Sequence, residues 1–424
     1  MGNIEIGSQL TRGRLEAAVS ALQVILGLTR PADVALRLFF RDHPELGQHD
    51  RAFVAELTFT VLRHLRLLEH LAVEPLPRRL ALTALLQLGY SVRELSPLLA
   101  GGDEGWLVQA RTADLTQLPP AIRLSLPDWL YERLAAQRNG AELQALAQAL
   151  LRPAPLDLRV NTMLAKRDEV LAAFELDGIG AVATRYSPVG VRLQGKPALQ
   201  RHRLFIEGKV EVQDEASQLL AYLVAPRRRE MVVDFCAGAG GKTLALGALM
   251  HSEGRLYAFD TAARRLANLK PRLGRSGLSN VYPQVIGGAS DARVKRLASK
   301  IDRALVDVPC TGFGTLRRNP DLKWRQHAES VTQLTAKQRA ILEAAAGLVK
   351  PGGRLVYATC SLLREENDDI IEAFLRERPD YARLHCGEIL CRQGIELDTG
   401  EYFRVDPHAH AMDGFFAAVL QRAK

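Results

Sequence analysis

Three successive patterns predict a multidomain chain: an all-α bundle, then a small α+β module, then a larger α/β domain built on a parallel sheet. Residues 12 to about 150 carry apolar positions at helical spacing. A Pro-rich stretch, Leu151-Arg152-Pro153-Ala154-Pro155, then denies helix continuation. From about Lys209 onward, apolar strand-like runs alternate with helical stretches. The expected domains are therefore residues 1–150, 151–208 and 209–424.

In the first region, Phe53, Leu57, Val61 and Leu65 recur at four-residue steps and form one apolar stripe. Arg51, Arg63 and Arg66 lie off that stripe and are expected to face solvent or phosphate, and Asp50 is the expected N-cap. Further helices are expected over Leu15–Leu28, Leu80–Leu88 and Asp128–Gln137. In the second region, Leu156–Asn161 alternates like a strand, Lys166–Leu176 is helical, and Ala181–Leu193 is strand-like around Pro188 and Gly190. Arg159, Lys166, Arg167, Arg185 and Arg192 make this module a candidate RNA-contacting platform, with a solvated face as the alternative.

The third region predicts strands at Met231–Phe235, Arg255–Asp260, Val281–Ile286, Ala304–Val308 and Arg354–Ala358. Helices Lys242–Met250, Ala262–Leu273 and Thr332–Val349 separate them, which requires parallel strands with helices on both faces. Between the first strand and its helix lies Phe235-Cys-Ala-Gly-Ala-Gly-Gly-Lys242. Glycines there let backbone approach a ligand and present N–H groups at a helix N-terminus. The turn misses a P-loop, because Cys236 stands where a glycine is needed. It also misses the dinucleotide fingerprint, because Thr243 occupies the third glycine position. Asp260 ends the second strand, 22 residues after Gly238, where a carboxylate can accept bonds from ribose hydroxyls. Helix capping at Ala262 is its structural alternative.

The chain has 424 residues, 47% of them hydrophobic and 25% charged, as in ordinary globular proteins. No apolar run approaches the roughly 20 residues a membrane span needs. Met1-Gly2-Asn3-Ile4-Glu5-Ile6 has no signal core and Ile6 breaks the myristoylation pattern, so a cytoplasmic location is expected. A net charge of +8 favours polyanionic partners. The five cysteines lack zinc-ribbon or redox-pair spacing, and free thiols are expected.

Cys310 and Cys360 each follow an apolar strand-like run. If the two strands are neighbours, both thiols occupy the rim where open α/β sheets bind ligands. Two thiols beside a glycine turn suit covalent chemistry on an electrophilic carbon. Cytosine C5 is a weak nucleophile, but a thiolate added at C6 makes the ring an enamine that can attack a sulfonium methyl. The thiolate must have a lowered pKa, with a polar group at the base N3 edge. Taken singly, either cysteine reads more readily as a small buried apolar residue, and it is their joint placement after strands near a glycine turn that favours the chemistry.

Three stretches, DFCAGAGGKT (234–243), DVPCTGFGTLRRNPDLKW (307–324) and YATCSLLREEN (357–367), resemble the cofactor loop, Pro-Cys motif and Thr-Cys motif of the Sun/Fmu family of RNA cytosine-C5 methyltransferases. The front domain resembles the NusB-like RNA-binding domain of the RsmB branch, which methylates small-subunit (16S) rRNA. The resemblance implies a small RNA-recognition-like module and a C-terminal Rossmann-like domain using S-adenosyl-L-methionine. It also assigns roles. Cys360 attacks C6 and Cys310 assists product release, a choice the residues alone leave open. Cys236, Ala237, Gly238, Ala239, Gly240, Gly241 and Lys242 line the cofactor. Asp260 holds its ribose, Asp291 lies near the adenine, and Asp307 sits between donor and base. Ala239 and Val308 depart from the family's usual proline and alanine, and neither removes a reacting group.

Arg317, Arg318 and Lys323 are expected to neutralise phosphates, with Phe313 or Trp324 stacking on a base. A base must leave its stack to reach buried thiols, so a monomer acting on single-stranded or loop RNA is expected. Two other readings are a non-catalytic RNA-binding or ribosome-assembly factor, and an NAD-linked dehydrogenase. The first leaves both thiols idle, and the second rests only on the glycine turn and Asp260.

Overall fold

The structure is a computed structural model describing residues 10–424, so the expectation resting on Met1–Ile6 lies outside the described residues. The chain forms two compact units. One comprises the residues up to Pro153 together with Thr315–Ala328, and the other comprises Ala154–Gly314 and Glu329–Lys424.

The first unit is helical. Its principal helices span Arg12–Ile25, Ala32–Asp42, Gln48–Ala72, Pro77–Gln87, Asp103–Thr112, Asp128–Ala135 and Gly140–Leu150. The expected stripe of Phe53, Leu57, Val61 and Leu65 is buried, with Leu15, Leu22, Leu62, Leu68 and Leu80 beside it. The helix containing the stripe starts at Gln48, so Asp50 is not the N-cap. Its carboxylate accepts the Gly47 N–H from within the first turn at 3.2 Å. Arg63 departs from expectation more sharply: it is only 6% exposed, and its guanidinium donates to the Arg317 carbonyl. Arg66 and Arg51 are occupied locally, Arg66 by the Leu126 carbonyl and Asp128, Arg51 by the Leu46 carbonyl.

Thr315–Ala328 packs as part of this helical unit. The Lys323 ammonium donates to the carbonyls of Arg63 (2.7 Å) and Ser125 (2.6 Å), and the Trp324 indole N–H donates to the Leu62 carbonyl (2.7 Å). Lys323 and Arg317 are buried, so neither presents its charge to a phosphate as the sequence suggested. Phe313 is fully buried, which removes it as a stacking surface, and Trp324 is half-buried against the helical core. Burial pulls the Lys323 ammonium down to about 7, with Arg63 adding repulsion, and pulls the neighbouring His64 imidazole down to about 4.

In the second unit, β1 (Leu156–Val160), β2 (Ala181–Ala183), β3 (Gly190–Leu193) and β4 (Val210–Val212) form an antiparallel sheet in the order β2-β3-β1-β4. The run Ala181–Leu193 is thus a hairpin. The module extends past residue 208 to include β4, an edge strand too short to stand out in sequence. Arg159 is buried against Gln213 (2.7 Å), and Arg192 makes a two-pronged pair with Asp157 (2.7 and 2.8 Å). These two arginines hold the module together and are not the RNA platform expected of them.

The large sheet contains β5 (Met231–Asp234), β6 (Arg255–Asp260), β7 (Val281–Val285), β8 (Ile301–Asp307) and β9 (Val349–Thr359), all parallel in the order β9-β8-β5-β6-β7. Beyond β9 the sheet turns antiparallel through β12 (Phe415–Arg422), which also pairs with β10 (Tyr381–Leu384) and β11 (Phe403–Val405). Separate apolar layers cover its two faces, as a doubly wound sheet requires. The expected helix Ala262–Leu273 is two helices, Ala263–Ala267 and Leu269–Ser276. Pro271 has no N–H for the Ala267 carbonyl, so the helical ladder breaks there. Among the described residues no helix is long and apolar enough to cross a membrane.

Candidate active site

Strand order reverses direction between β5 and β8, so their carboxyl ends flank a crevice. Asp234 ends β5, Asp260 ends β6, Asp307 ends β8 and Thr359 ends β9. The sheet thereby gathers three carboxylates on one rim, followed immediately by the two thiol loops.

The turn after β5 needs its glycines for definite reasons. Gly240 has φ +82°, and a Cβ there would stand 2.2 Å from Leu269 Cδ1. Gly238 has φ +55°, and its N–H donates to Asp260 Oδ2 at 2.7 Å. The other Asp260 oxygen accepts the Ala262 N–H at 2.7 Å. Asp260 therefore braces the turn and the Ala262 N–H just before the following helix, which has no side-chain cap, while standing at the strand end a ribose-binding acid would occupy. Arg272 secures the turn from outside by donating to the Ala239 carbonyl (2.7 Å).

Lys242, on the first turn of the helix Gly241–Leu249, pairs with Asp307 at 2.6 Å and lies over the Phe415 ring. Burial disfavours its charge, but Asp307 more than offsets this and its ammonium is held above the ordinary lysine range. Asp234 accepts from the Thr243 hydroxyl (2.7 Å) through Oδ2, while its Oδ1 is buried without a partner. Burial pushes this carboxyl up to about 7, against the Thr243 bond, and Asp307 and Asp260 repel its charge further. Cys236 is held well above the ordinary thiol range by burial and then by these carboxylates, so it remains a neutral thiol.

The loops after β8 and β9 bring the other two thiols together. The β8–β9 register pairs Asp307 with Ala358, and the Val308 N–H continues the ladder to the Ala358 carbonyl (3.0 Å). Cys310 Sγ and Cys360 Sγ then approach to 3.3 Å as free, half-buried thiols. The hydrogen bond with Cys360 is the first cause holding the Cys310 thiol above its ordinary value, and burial is the second. Either sulfur can donate in this contact, and its effect on Cys310 is to disfavour the thiolate. Backbone packing fixes the loops closely. Gly314 donates to the Cys360 carbonyl (2.8 Å), and a Cβ on Gly314 would meet the Gly414 carbonyl oxygen at 2.0 Å.

Asp291 stands elsewhere in its interactions. Its carboxylate accepts from the Gly287 and Arg293 N–H groups and from the Arg293 guanidinium, which holds it well below the usual carboxylate range. Arg317 and Lys323 are internal to the helical unit, and Arg318 is half-buried there. Sequence reasoning passed over Glu366, which lies beneath both thiol loops, as well as Gln338 and Phe415. A buried carboxylate in the run Arg364-Glu-Glu-Asn367 reads as surface charge until its partners are known.

The rim fits a cationic, adenosine-bearing cofactor. Three carboxyl groups end neighbouring strands and one of them pairs with Lys242, one carboxyl oxygen is buried without a partner, and positive-φ glycines open the backbone. Such a site favours a sulfonium and an ammonium group over an anionic phosphate.

The chain matches known proteins over most of its length. The sequence profile described as 16S rRNA methyltransferase RsmB/F matches residues 221–421, and the ferredoxin-like domain profile of the same group matches residues 126–200. A probable ribosomal RNA small subunit methyltransferase B from Synechocystis is 35% identical, covering 92% of this chain and 95% of that protein. The crystal structure of PH0851 superposes with a TM-score of 0.78 at 26% identity, covering 97% of this chain and 99% of that one. A methyltransferase homologue from Pyrococcus horikoshii gives 0.62 at 28% identity, covering 72% and 100%.

Proposed function

The chain belongs to the RsmB/F family of 16S rRNA methyltransferases, and from that premise we propose that it methylates cytosine C5 in small-subunit ribosomal RNA. The observation that carries this reading is the approach of Cys310 and Cys360 to 3.3 Å at neighbouring strand ends. Simple methyl transfer to a nucleophilic nitrogen or oxygen has no use for two such thiols. Transfer to C5 uses both.

S-adenosylmethionine, when bound, supplies an electrophilic methyl group. The turn from Cys236 to Lys242, with Asp260 and Asp234, is the set of residues proposed to hold it. Asp291 is retained as an adenine contact only if it gives up part of its bonding to Arg293. Cys360 adds to C6 of the flipped cytosine and makes C5 nucleophilic. Once C5 carries the methyl group, its proton passes to water, the S–C6 electron pair returns to sulfur and Cys360 leaves. Cys310 is proposed to assist that release. Asp307, oriented by Lys242, is proposed to meet the polar edge of the base. The helical unit is proposed as a NusB-like RNA-holding domain, with Arg318 the one phosphate contact kept from Arg317, Arg318 and Lys323.

Loss of one 5-methylcytosine from 16S rRNA in cells lacking this protein, restored by the wild-type chain and not by Cys360→Ala, is the expected result. An unchanged 5-methylcytosine map would overturn the proposal.

A further inference from the structure

We propose that Glu366 is a positioning residue for this reaction, its carboxylate setting the gap between the two thiols by holding the residue that follows each of them. The proposal rests on the reading of Cys310 and Cys360 given above and assigns what keeps them in register.

Glu366 is 0% exposed, and among the described residues no lysine or arginine pairs with it. A buried carboxylate without a cation persists only when hydrogen bonds replace its lost hydration. Here the donors come from three separate segments. Thr311, directly after Cys310, gives its N–H to Oε1 (2.9 Å) and its hydroxyl to Oε2 (2.6 Å). Ser361, directly after Cys360, gives its hydroxyl to the same Oε2. Gln338 donates to Oε1 (2.9 Å) and also to the carbonyl of Pro309, directly before Cys310 (3.0 Å). One side chain thus ties both thiol loops to a common point.

The clamp is itself anchored. Tyr357, in β9, donates its hydroxyl to the Glu366 carbonyl (2.7 Å). Asn367 accepts from the Thr359 hydroxyl (2.6 Å) and donates to the Ser361 carbonyl (3.1 Å), so the residues on both sides of Cys360 are fixed. Stability alone does not call for this arrangement, since an apolar contact would join two loops without burying a charge. A carboxylate adds directional bonds that fix where each sulfur points. Its negative charge also contributes, after the Cys360 contact and burial, to keeping the Cys310 thiol protonated.

Glu366→Gln keeps the volume but turns one acceptor oxygen into an NH2 group facing hydroxyl and N–H donors. Expected are a tenfold or greater fall in kcat for methyl transfer to 16S rRNA, KM values for RNA and S-adenosylmethionine within twofold of wild type, and slower diamide-driven bridging of Cys310 to Cys360. Wild-type kcat and bridging rate in this variant would overturn the proposal, as would KM values rising with an unchanged kcat. Should Glu366→Gln fail to fold, Thr311→Val and Ser361→Ala each remove one hydroxyl from the clamp. Both are expected to lower kcat severalfold, and wild-type kcat in both would reject the clamp. Covalent capture of RNA by Cys310→Ala separates the two levels. Capture without a Glu366 effect refutes only the clamp, whereas no capture refutes the thiol reading and the clamp together.

Discussion

The sulfurs of Cys310 and Cys360 lie 3.3 Å apart, and this contact, with burial, holds the Cys310 thiol above its ordinary value. The disfavoured Cys310 thiolate has a chemical consequence. With free protein at pH 8, iodoacetamide is expected to label Cys310 slowly, because the thiolate is the reactive form. In Cys360→Ala the chief cause retaining the Cys310 proton is gone, and Cys310 labelling is expected to accelerate. Peptide-resolved mass spectrometry reads both rates, and faster labelling of Cys310 in the wild type would refute the assignment.

Gly314 is expected to tolerate no side chain. Its Cβ would meet main chain, the Gly414 oxygen at 2.0 Å, and the loops cannot part without losing the Gly314–Cys360 bond. Gly314→Ala should cost about 1–3 kcal/mol, as overpacking does in cores, and reduce methyl transfer more than tenfold. Urea unfolding and a tritium-release assay measure the two effects, and wild-type values in both would show that the loops are pliable.

Asp234 sets a pH dependence. Its folded pKa, about 7, lies above the unfolded carboxyl value, so between roughly pH 4 and 7 the folded protein holds a proton that the unfolded chain has released. That contribution to stability is complete below the unfolded value and is lost as pH rises through 7. Asp234→Asn cannot ionise, and its stability curve is expected to be flatter over this interval by up to about 4 kcal/mol. Parallel curves for the two proteins would show that Asp234 is ionised throughout.

Lys323 tests the correction to the sequence reading. Since its ammonium is spent on the Arg63 and Ser125 carbonyls, Lys323→Met is expected to lower stability by about 1–3 kcal/mol through an unpaired carbonyl. The salt dependence of RNA binding should be unchanged. A phosphate contact would instead reduce the slope of log K against log salt by about 1.

The parallel strands were legible because β5, β6, β8 and β9 each carry a short apolar run between turn and helix signals, and their pairing places Cys310 and Cys360 on one rim. The helix break at Asn268 follows from Pro271, a signal present in the sequence and overlooked there. Other features depend on tertiary context. Arg63, Arg159, Arg317 and Lys323 read as surface charges but are buried, and the long stems and donor-only heads of Arg63, Arg159 and Lys323 let them satisfy buried carbonyls or, for Arg159, a buried amide oxygen. Glu366 was opaque for the converse reason. A carboxylate becomes buried only when donors converge on it, and its donors come from Thr311, Gln338 and Ser361, distant in sequence from one another. The strand β12 pairs with β9, and β10 and β11 pair with β12, an arrangement no local pattern announces.

The most direct measurement is to incubate Cys310→Ala with 16S rRNA and S-adenosylmethionine, digest both polymers and identify the cross-linked peptide by mass spectrometry. The expected species is the peptide containing Cys360 joined to a methylated cytidine, absent when Cys360 is also replaced by alanine. A cytidine bonded to any other residue, or undiminished 5-methylcytosine formation by Cys360→Ala, would contradict the mechanism.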